Sequence, residues 1–269
     1  MTQANCKMDP GEKIGVLGIP FDDKSSFRKG SSQGPEYILR TLRSEAQNPY
    51  SEDGTKTSDW VTNIPIGTIY DYWDIEALVF DHLAEHPKLL SLGGDHSITF
   101  PIVRAYQRKF KKIDILHFDA HSDLYDVFMG DPYSHACPFA RIMEEKLTAR
   151  LVQVGVRTQT THLREQVKKF GVEVIEMKDF NRHDIGSFEH PLYISIDLDG
   201  FDPSFAPGVA HQEAGGLLPR DVIHVIQNLD VPIIGADIVE YNPSLDVSNI
   251  TAGLAAKLVK ELISKMMSG

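Results

Sequence analysis

Three short segments hold the side chains that could do chemistry. Asp119-Ala120-His121-Ser122-Asp123 follows the apolar run Ile113 to Phe118. In extended backbone, side chains at i, i+2 and i+4 point to the same side, so two carboxylates and an imidazole converge there; on a helix the middle one would face away. Asp197-Leu198-Asp199, following the apolar stretch Pro191 to Ile196, sets two more carboxylates on one face by the same alternation. Gly93-Gly94-Asp95-His96-Ser97 stands between the apolar run Lys88 to Leu92 and a helical stretch. Its glycines allow a tight turn that presents His96, and the same residues also read as a Gly-rich turn in which Asp95 or Ser97 caps the helix. Asp202, followed by Pro203, reads as a turn brace rather than a ligand.

Carboxylates gathered this closely repel one another and take up protons unless divalent cations remove the conflict. His96, Asp119, His121, Asp123, Asp197 and Asp199 together supply four carboxylates and two imidazoles. That is too many carboxylates for one ordinary zinc site, and no thiolate joins them. The set suits a dinuclear centre for a hard to borderline cation such as Mn²⁺, with one or two aspartates bridging the ions.

Segments so far apart in sequence need a sheet to bring them together. Continuous apolar runs at Lys13 to Ile19, Lys88 to Leu92, Ile113 to Phe118, Leu151 to Val156, Pro191 to Ile196 and Val231 to Val239 predict strands covered on both faces. Helical spacing falls between them at Ile75 to Glu85, Ile98 to Phe110, Ala136 to Lys146, His162 to Phe170, Arg220 to Asn228 and Ile250 to Met267. This alternation predicts an α/β fold with a parallel sheet between two helical layers, whose ligands gather at the carboxyl ends of the strands. The 269 residues read as a single domain, with 1–11 as a tail and 44–59 as a flexible surface loop.

The formal charge of −11 argues against nucleic acid or an anionic membrane as a partner and favours a small cationic molecule. No apolar run approaches membrane-spanning length and no signal peptide is evident, so a cytoplasmic protein is expected. The two cysteines, Cys6 and Cys137, are too few for a disulfide framework and read as free thiols.

With these motifs in order, the chain resembles the ureohydrolase family, which contains arginase, agmatinase, guanidinobutyrase and formimidoylglutamase. The likeness spans Ile14 to Lys265 and rests most specifically on Asp119 to Asp123 and Ser195 to Gly208. Longer stretches, including Tyr133 to His135, Phe139 to Glu144 and Gly208 to Leu217, look most like plant-type arginases. The resemblance implies an arginase/deacetylase-like, mainly parallel sheet of eight strands in a three-layer domain. It also implies two Mn²⁺ ions and a homotrimer or homohexamer.

Carried over by residue, it makes His96, Asp119, Asp123 and Asp197 ligands of one ion, and Asp119, His121, Asp197 and Asp199 ligands of the other. His135 matches the proton-shuttling histidine, and Glu240 matches the carboxylate that holds the substrate guanidinium. Glu240 also follows Val231 to Val239, a strand that should end at the same mouth. Asp123 is expected to accept a hydrogen bond from the tetrahedral intermediate.

The implied reaction is hydrolysis of L-arginine to urea and L-ornithine, with agmatine as the alternative substrate. The loop Leu124 to Ser134 lies where related enzymes hold the far end of the substrate, so Asp126, Asp131 and Ser134 are candidate contacts. Its two aspartates and lack of a basic residue argue against 4-guanidinobutyrate and would favour agmatine by repelling a carboxylate. A phosphoesterase would be expected to gather Lys or Arg there, and a non-catalytic metal-binding scaffold to have lost one of the ligands.

Overall fold

The computed structural model describes residue 8, residues 11–183 and residues 185–268. The expected tail, 1–11, falls almost wholly outside them. From its amino end the chain runs β1 (Ile14–Ile19), α1 (Gly34–Leu42), β2 (Val61–Asn63), α2 (Asp74–Glu85) and β3 (Leu89–Gly93). It continues through α3 (Thr99–Lys109), β4 (Asp114–Phe118), α4 (Pro138–Glu144), β5 (Arg150–Val156), α5 (Thr161–Phe170) and β6 (Glu173–Glu176). β7 (Leu192–Asp197), α6 (Pro219–Asn228), β8 (Ile233–Val239) and α7 (Ile250–Ser268) complete it.

The strands form one eight-stranded sheet in the order β2-β1-β3-β8-β7-β4-β5-β6. Every pairing is parallel. Neighbouring side chains on one strand feed opposite layers, as the pleat requires. Leu116 and Phe118 pack with residues of α1, α6 and α7, whereas Ile113 and Ile115 pack with residues of α2, α3 and α4. That two-sided burial is why the runs read as continuously apolar, and the parallel sheet between helical layers agrees with expectation.

Three elements escaped the apolar-run criterion. β2 and β6 are edge strands of three and four residues with no fully buried position, so nothing forces them to be apolar. Helix α1 buries only Gly34, Pro35, Ile38 and Leu39. The 44–59 segment is tied down more than its composition suggested. Ser51 and Thr57 are buried, Arg220 of α6 forks onto Glu52 at 2.7 and 2.8 Å, and Ser264 of α7 donates to Asp53 at 2.5 Å.

The order of the strands matters most for function. β3, β8, β7 and β4 are consecutive neighbours at the middle of the sheet, so residues just past their carboxyl ends share one crevice. Those residues are His96, Glu240, Asp199, and Asp119 with His121 and Asp123, and Asp197, the last residue of β7, joins them.

Candidate metal centre

The turn after β3 requires glycine, because a Cβ on Gly94 would sit 1.8 Å from the Phe21 carbonyl oxygen. Both readings of this segment hold. Asp95 caps the turn, accepting the Ser97 N–H at 3.0 Å and its hydroxyl at 2.5 Å, while His96 is fully buried and presented at the sheet centre.

The His96 ring is oriented from behind. Buried Asp237 accepts hydroxyl protons from Ser195 at 2.6 Å, Tyr193 at 2.8 Å and Thr99 at 2.9 Å. With its proton given to Asp237, the Ser195 oxygen, 3.0 Å from His96 Nε2, accepts the Nε2–H. Network logic therefore leaves His96 Nδ1 as a bare lone pair. That atom is buried and has no hydrogen-bond partner, yet it lies 3.2, 3.1 and 3.1 Å from carboxylate oxygens of Asp119, Asp123 and Asp197.

Asp119 reaches both halves of the site. Its Oδ2 faces His96, and its Oδ1 lies 3.4 Å from His121 Nδ1, which is itself 3.2 Å from Asp199 Oδ2. Asp197 uses Oδ1 to accept the Asp199 N–H at 2.7 Å and turns Oδ2 to His96. Separations of 3.1 to 3.4 Å between these atoms match neighbouring corners of a coordination shell of about 2.1 Å radius, which lie about 3 Å apart. Asp123 adopts a left-handed φ of 48° and Glu240 one of 65°, conformations that cost free energy in non-glycine residues.

Without cations the charges conflict. Burial, then repulsion from Asp199 and Asp119, pushes the Asp197 carboxyl well above the usual range. Burial lifts Asp199 to about 7, against the attraction of His121. Asp119 goes the other way, because contacts from His117, His121 and His96 outweigh its burial. A site of oxygen and imidazole donors, with one nitrogen lone pair unpartnered and its carboxylates in repulsion, is chemically suited to divalent cations.

A second group adjoins it. His135 Nε2 lies 2.8 Å from Ser26 Oγ and its Nδ1 lies 3.4 Å from Glu240 Oε1; the same Glu240 oxygen accepts the His96 N–H at 2.9 Å. Although burial opposes its charge, the bond and charge of Glu240, with Asp123 and Asp95, lift His135 to about 9. Asp123, Asp197, Asp199, His121, His135 and His211 line a cavity of about 550 Å³; His96, Asp119 and Glu240 are buried in contact with these lining residues. Cys137 is a buried free thiol that burial pushes up to about 12; Cys6 lies outside the described residues.

The structure does not bring Asp126, Asp131 or Ser134 to this cavity. Asp126 turns outward to His162 at 3.0 Å. Asp131 pairs with Lys24 at 2.7 Å and accepts the Tyr133 N–H at 2.8 Å, so a cation 107 positions away in sequence neutralises it. Ser134 is buried, within the turn that leads to α4.

Several contributors were missed. His117 continues the alternation of Asp119 and His121 backward by one step, and its Nε2 lies 2.8 Å from Asp119, so the same rule could have found it. Ser26, Lys24, His211 and the Ser195–Asp237 pair carry no local signal, because each meets its partner only in the folded chain.

Residues 12–264 match the sequence profile of the Arginase family. The mitochondrial arginase of Medicago truncatula is 46% identical over 93% of this chain and 81% of its own length. Arginase 1, mitochondrial, of Arabidopsis thaliana is 42% identical over 93% of this chain and 80% of its own. The solved structure of an arginase from Medicago truncatula superposes with a TM-score of 0.91 at 44% identity, covering 95% of this chain and 87% of that one.

Proposed function

This chain belongs to the arginase family, and from that premise we propose that it is a dinuclear manganese hydrolase that splits L-arginine into urea and L-ornithine. The observation that carries the reading is the closure of four carboxylates and two imidazoles on one crevice, with His96 Nδ1 left as an unpartnered lone pair. The preference for arginine is supported by 46% identity to a relative named arginase. The electrostatic case for agmatine weakens, because Lys24 neutralises Asp131 and Asp126 turns away to His162.

The guanidinium carbon is resonance-stabilised and water is a poor nucleophile, so both need help. His96, Asp119, Asp123 and Asp197 would hold one ion and Asp119, His121, Asp197 and Asp199 the other, with Asp119 and Asp197 shared. When bound, the ions supply Lewis-acid activation of water. Glu240, which its bond to His135 and the His96 N–H keep ionised despite burial, holds the planar guanidinium by charge-assisted hydrogen bonds. Asp123, on the cavity wall, accepts a hydrogen bond from the tetrahedral carbon's hydroxyl. His135 delivers a proton to the leaving amine and recovers it from solvent; Ser26, 2.8 Å away, fixes its ring.

No helix among the described residues is long and apolar enough to cross a membrane. A homotrimer or homohexamer in the cytoplasm completes the proposal, and sedimentation and cell fractionation test it. The reaction itself is tested by urea release from L-arginine, agmatine and 4-guanidinobutyrate side by side, with metal content measured on the same sample. A kcat/KM highest for arginine with two Mn²⁺ per chain is expected; a clear preference for agmatine overturns the substrate.

A further inference from the structure

A substrate that enters guanidinium first leaves its other end in the outer part of the cavity, and the loop residues Asp126, Asp131 and Ser134 do not meet it there. The wall of that cavity includes His211 and Glu213, from the loop between β7 and α6. The loop is built to hold still. Arg157 donates to the Glu213 carbonyl through Nε at 3.1 Å and Nη2 at 2.6 Å. Asp202 accepts the N–H groups of Gly215 at 2.8 Å and Gly216 at 3.3 Å, which is the turn-bracing role its sequence suggested.

Arg157 also lines the cavity, but its remaining N–H groups go to carbonyls of Gly155, Asp199, Gly200 and Phe201 at 2.8 to 3.2 Å. It is therefore committed to backbone. The His211 ring stacks on His135, with centroids 5.3 Å apart and 24° between planes, and stands edge-on to His121 at 6.1 Å. Its position is thus fixed one ring away from the two histidines flanking the reacting centre. Among the described residues, no hydrogen bond or ion pair engages the His211 ring nitrogens or the Glu213 carboxylate, and both residues line the cavity, with the Arg157 guanidinium close enough to feel the Glu213 charge.

We infer that His211 and Glu213 form the subsite for an α-amino acid head group: a His211 ring N–H donates to the substrate carboxylate, and the Glu213 carboxylate accepts from its ammonium. This rests on the arginine reading above. Glu213 would serve any substrate with a terminal ammonium, agmatine included, whereas only a substrate with a carboxylate uses His211. His211 is then the residue that separates the two.

The test uses Mn²⁺-loaded protein with two readouts: kcat and KM for L-arginine and agmatine, and calorimetric Kd for L-ornithine and putrescine. His211→Phe keeps the stacked ring and removes the N–H. It should raise arginine KM and ornithine Kd about tenfold or more, the scale of a lost bond to a charged group, with kcat little changed and agmatine and putrescine unaffected. Glu213→Gln should weaken all four. His211→Asn and His211→Gln place an amide N–H near the two ring-nitrogen positions, and at least one should restore ornithine binding. If neither does, or if phenylalanine leaves arginine KM and ornithine Kd unchanged while the unsubstituted protein cleaves arginine, the subsite is wrong and the arginine reading stands. An unsubstituted protein that cleaves agmatine and not arginine overturns the reading beneath it.

Discussion

Carboxylates meet opposite fates at two places in this fold. At the carboxyl ends of β4 and β7, Asp197 and Asp199 are buried against other anions and their carboxyls are pushed up. On the flank where the 44–59 segment meets α6 and α7, Glu52 is pulled down to about 2 by hydrogen bonds from Arg220, Gln227 and Lys257 that exceed its modest burial. The crevice packs more carboxylates together than its imidazoles offset, whereas the flank meets its anion with cations. Matched charges favour folding, whereas the unmatched crevice gives up folding free energy and gains affinity for ions that arrive from solution. The difference separates the part of the chain shaped for holding together from the part shaped for chemistry.

The largest effect should follow from attacking the crevice. Asp119→Ala removes the carboxylate whose two oxygens face His96 and His121, and Asp197→Asn removes an anion from both proposed ligand sets. Each should lower kcat/KM for arginine by at least about a hundredfold, or about 2.7 kcal/mol, and reduce bound metal below two per chain. Full activity in metal-stripped Asp197→Asn would contradict the contrast.

Metal removal should then expose the cost of that crevice. A ligand at a thousandfold excess over its Kd stabilises the folded state by about 4 kcal/mol, so chelation should lower Tm by several degrees. In the chelated protein at neutral pH, Asp197→Asn should raise Tm, since it deletes the carboxylate most strongly opposed by Asp199 and Asp119; with Mn²⁺ present the same variant should lower it. A chelated variant less stable than its parent would mean that repulsion is not the governing force there.

The flank should behave in the reverse sense under acid. Glu52 has a folded value of about 2 against an ordinary 4.5. A depressed carboxylate contributes stability that is fully present above about 4.5 and disappears as pH falls through about 2. Chemical denaturation of Glu52→Gln should therefore show a deficit at pH 6 that closes between those values. Glu52 is partly exposed, its side chain at 33%, so the deficit should be small and should shrink in high salt.

The crevice was more legible in sequence than the flank. β4 and β7 announce themselves as buried apolar runs, and a period of two read on past their ends singles out Asp119, His121, Asp123, Asp197 and Asp199. The fold gathers them by another route, since β4 stops at Phe118, Asp123 takes a φ of 48° and Leu198–Gly200 turns as a 3-10 helix. His135 and Glu240 are ordinary loop and strand-end residues, and only the family resemblance singles them out. β2, β6 and α1 bury too little to leave a pattern. Pairings such as Glu52 with Arg220, 168 positions apart, or Asp131 with Lys24 are set by chain topology, which local spacing does not encode.

Asp131 gives the smallest and sharpest test, because sequence and structure assign it different consequences. Read from the loop alone, it is an uncompensated anion beside the substrate's carboxylate, and Asp131→Asn should change arginine KM strongly. In the fold its Oδ2 is held by Lys24 at 2.7 Å and its Oδ1 by the Tyr133 N–H at 2.8 Å, and it does not line the cavity. Asparagine can keep the bond to Tyr133 through its own oxygen and loses only the ion pair. With the two side chains 25% and 36% exposed, such a pair is worth about 1 kcal/mol or less. Asp131→Asn should therefore leave arginine KM and kcat within about twofold and cost at most a few degrees of Tm, an effect that added salt should diminish. A tenfold change in arginine KM would return the far end of the substrate to the 124–134 loop and count against His211 and Glu213.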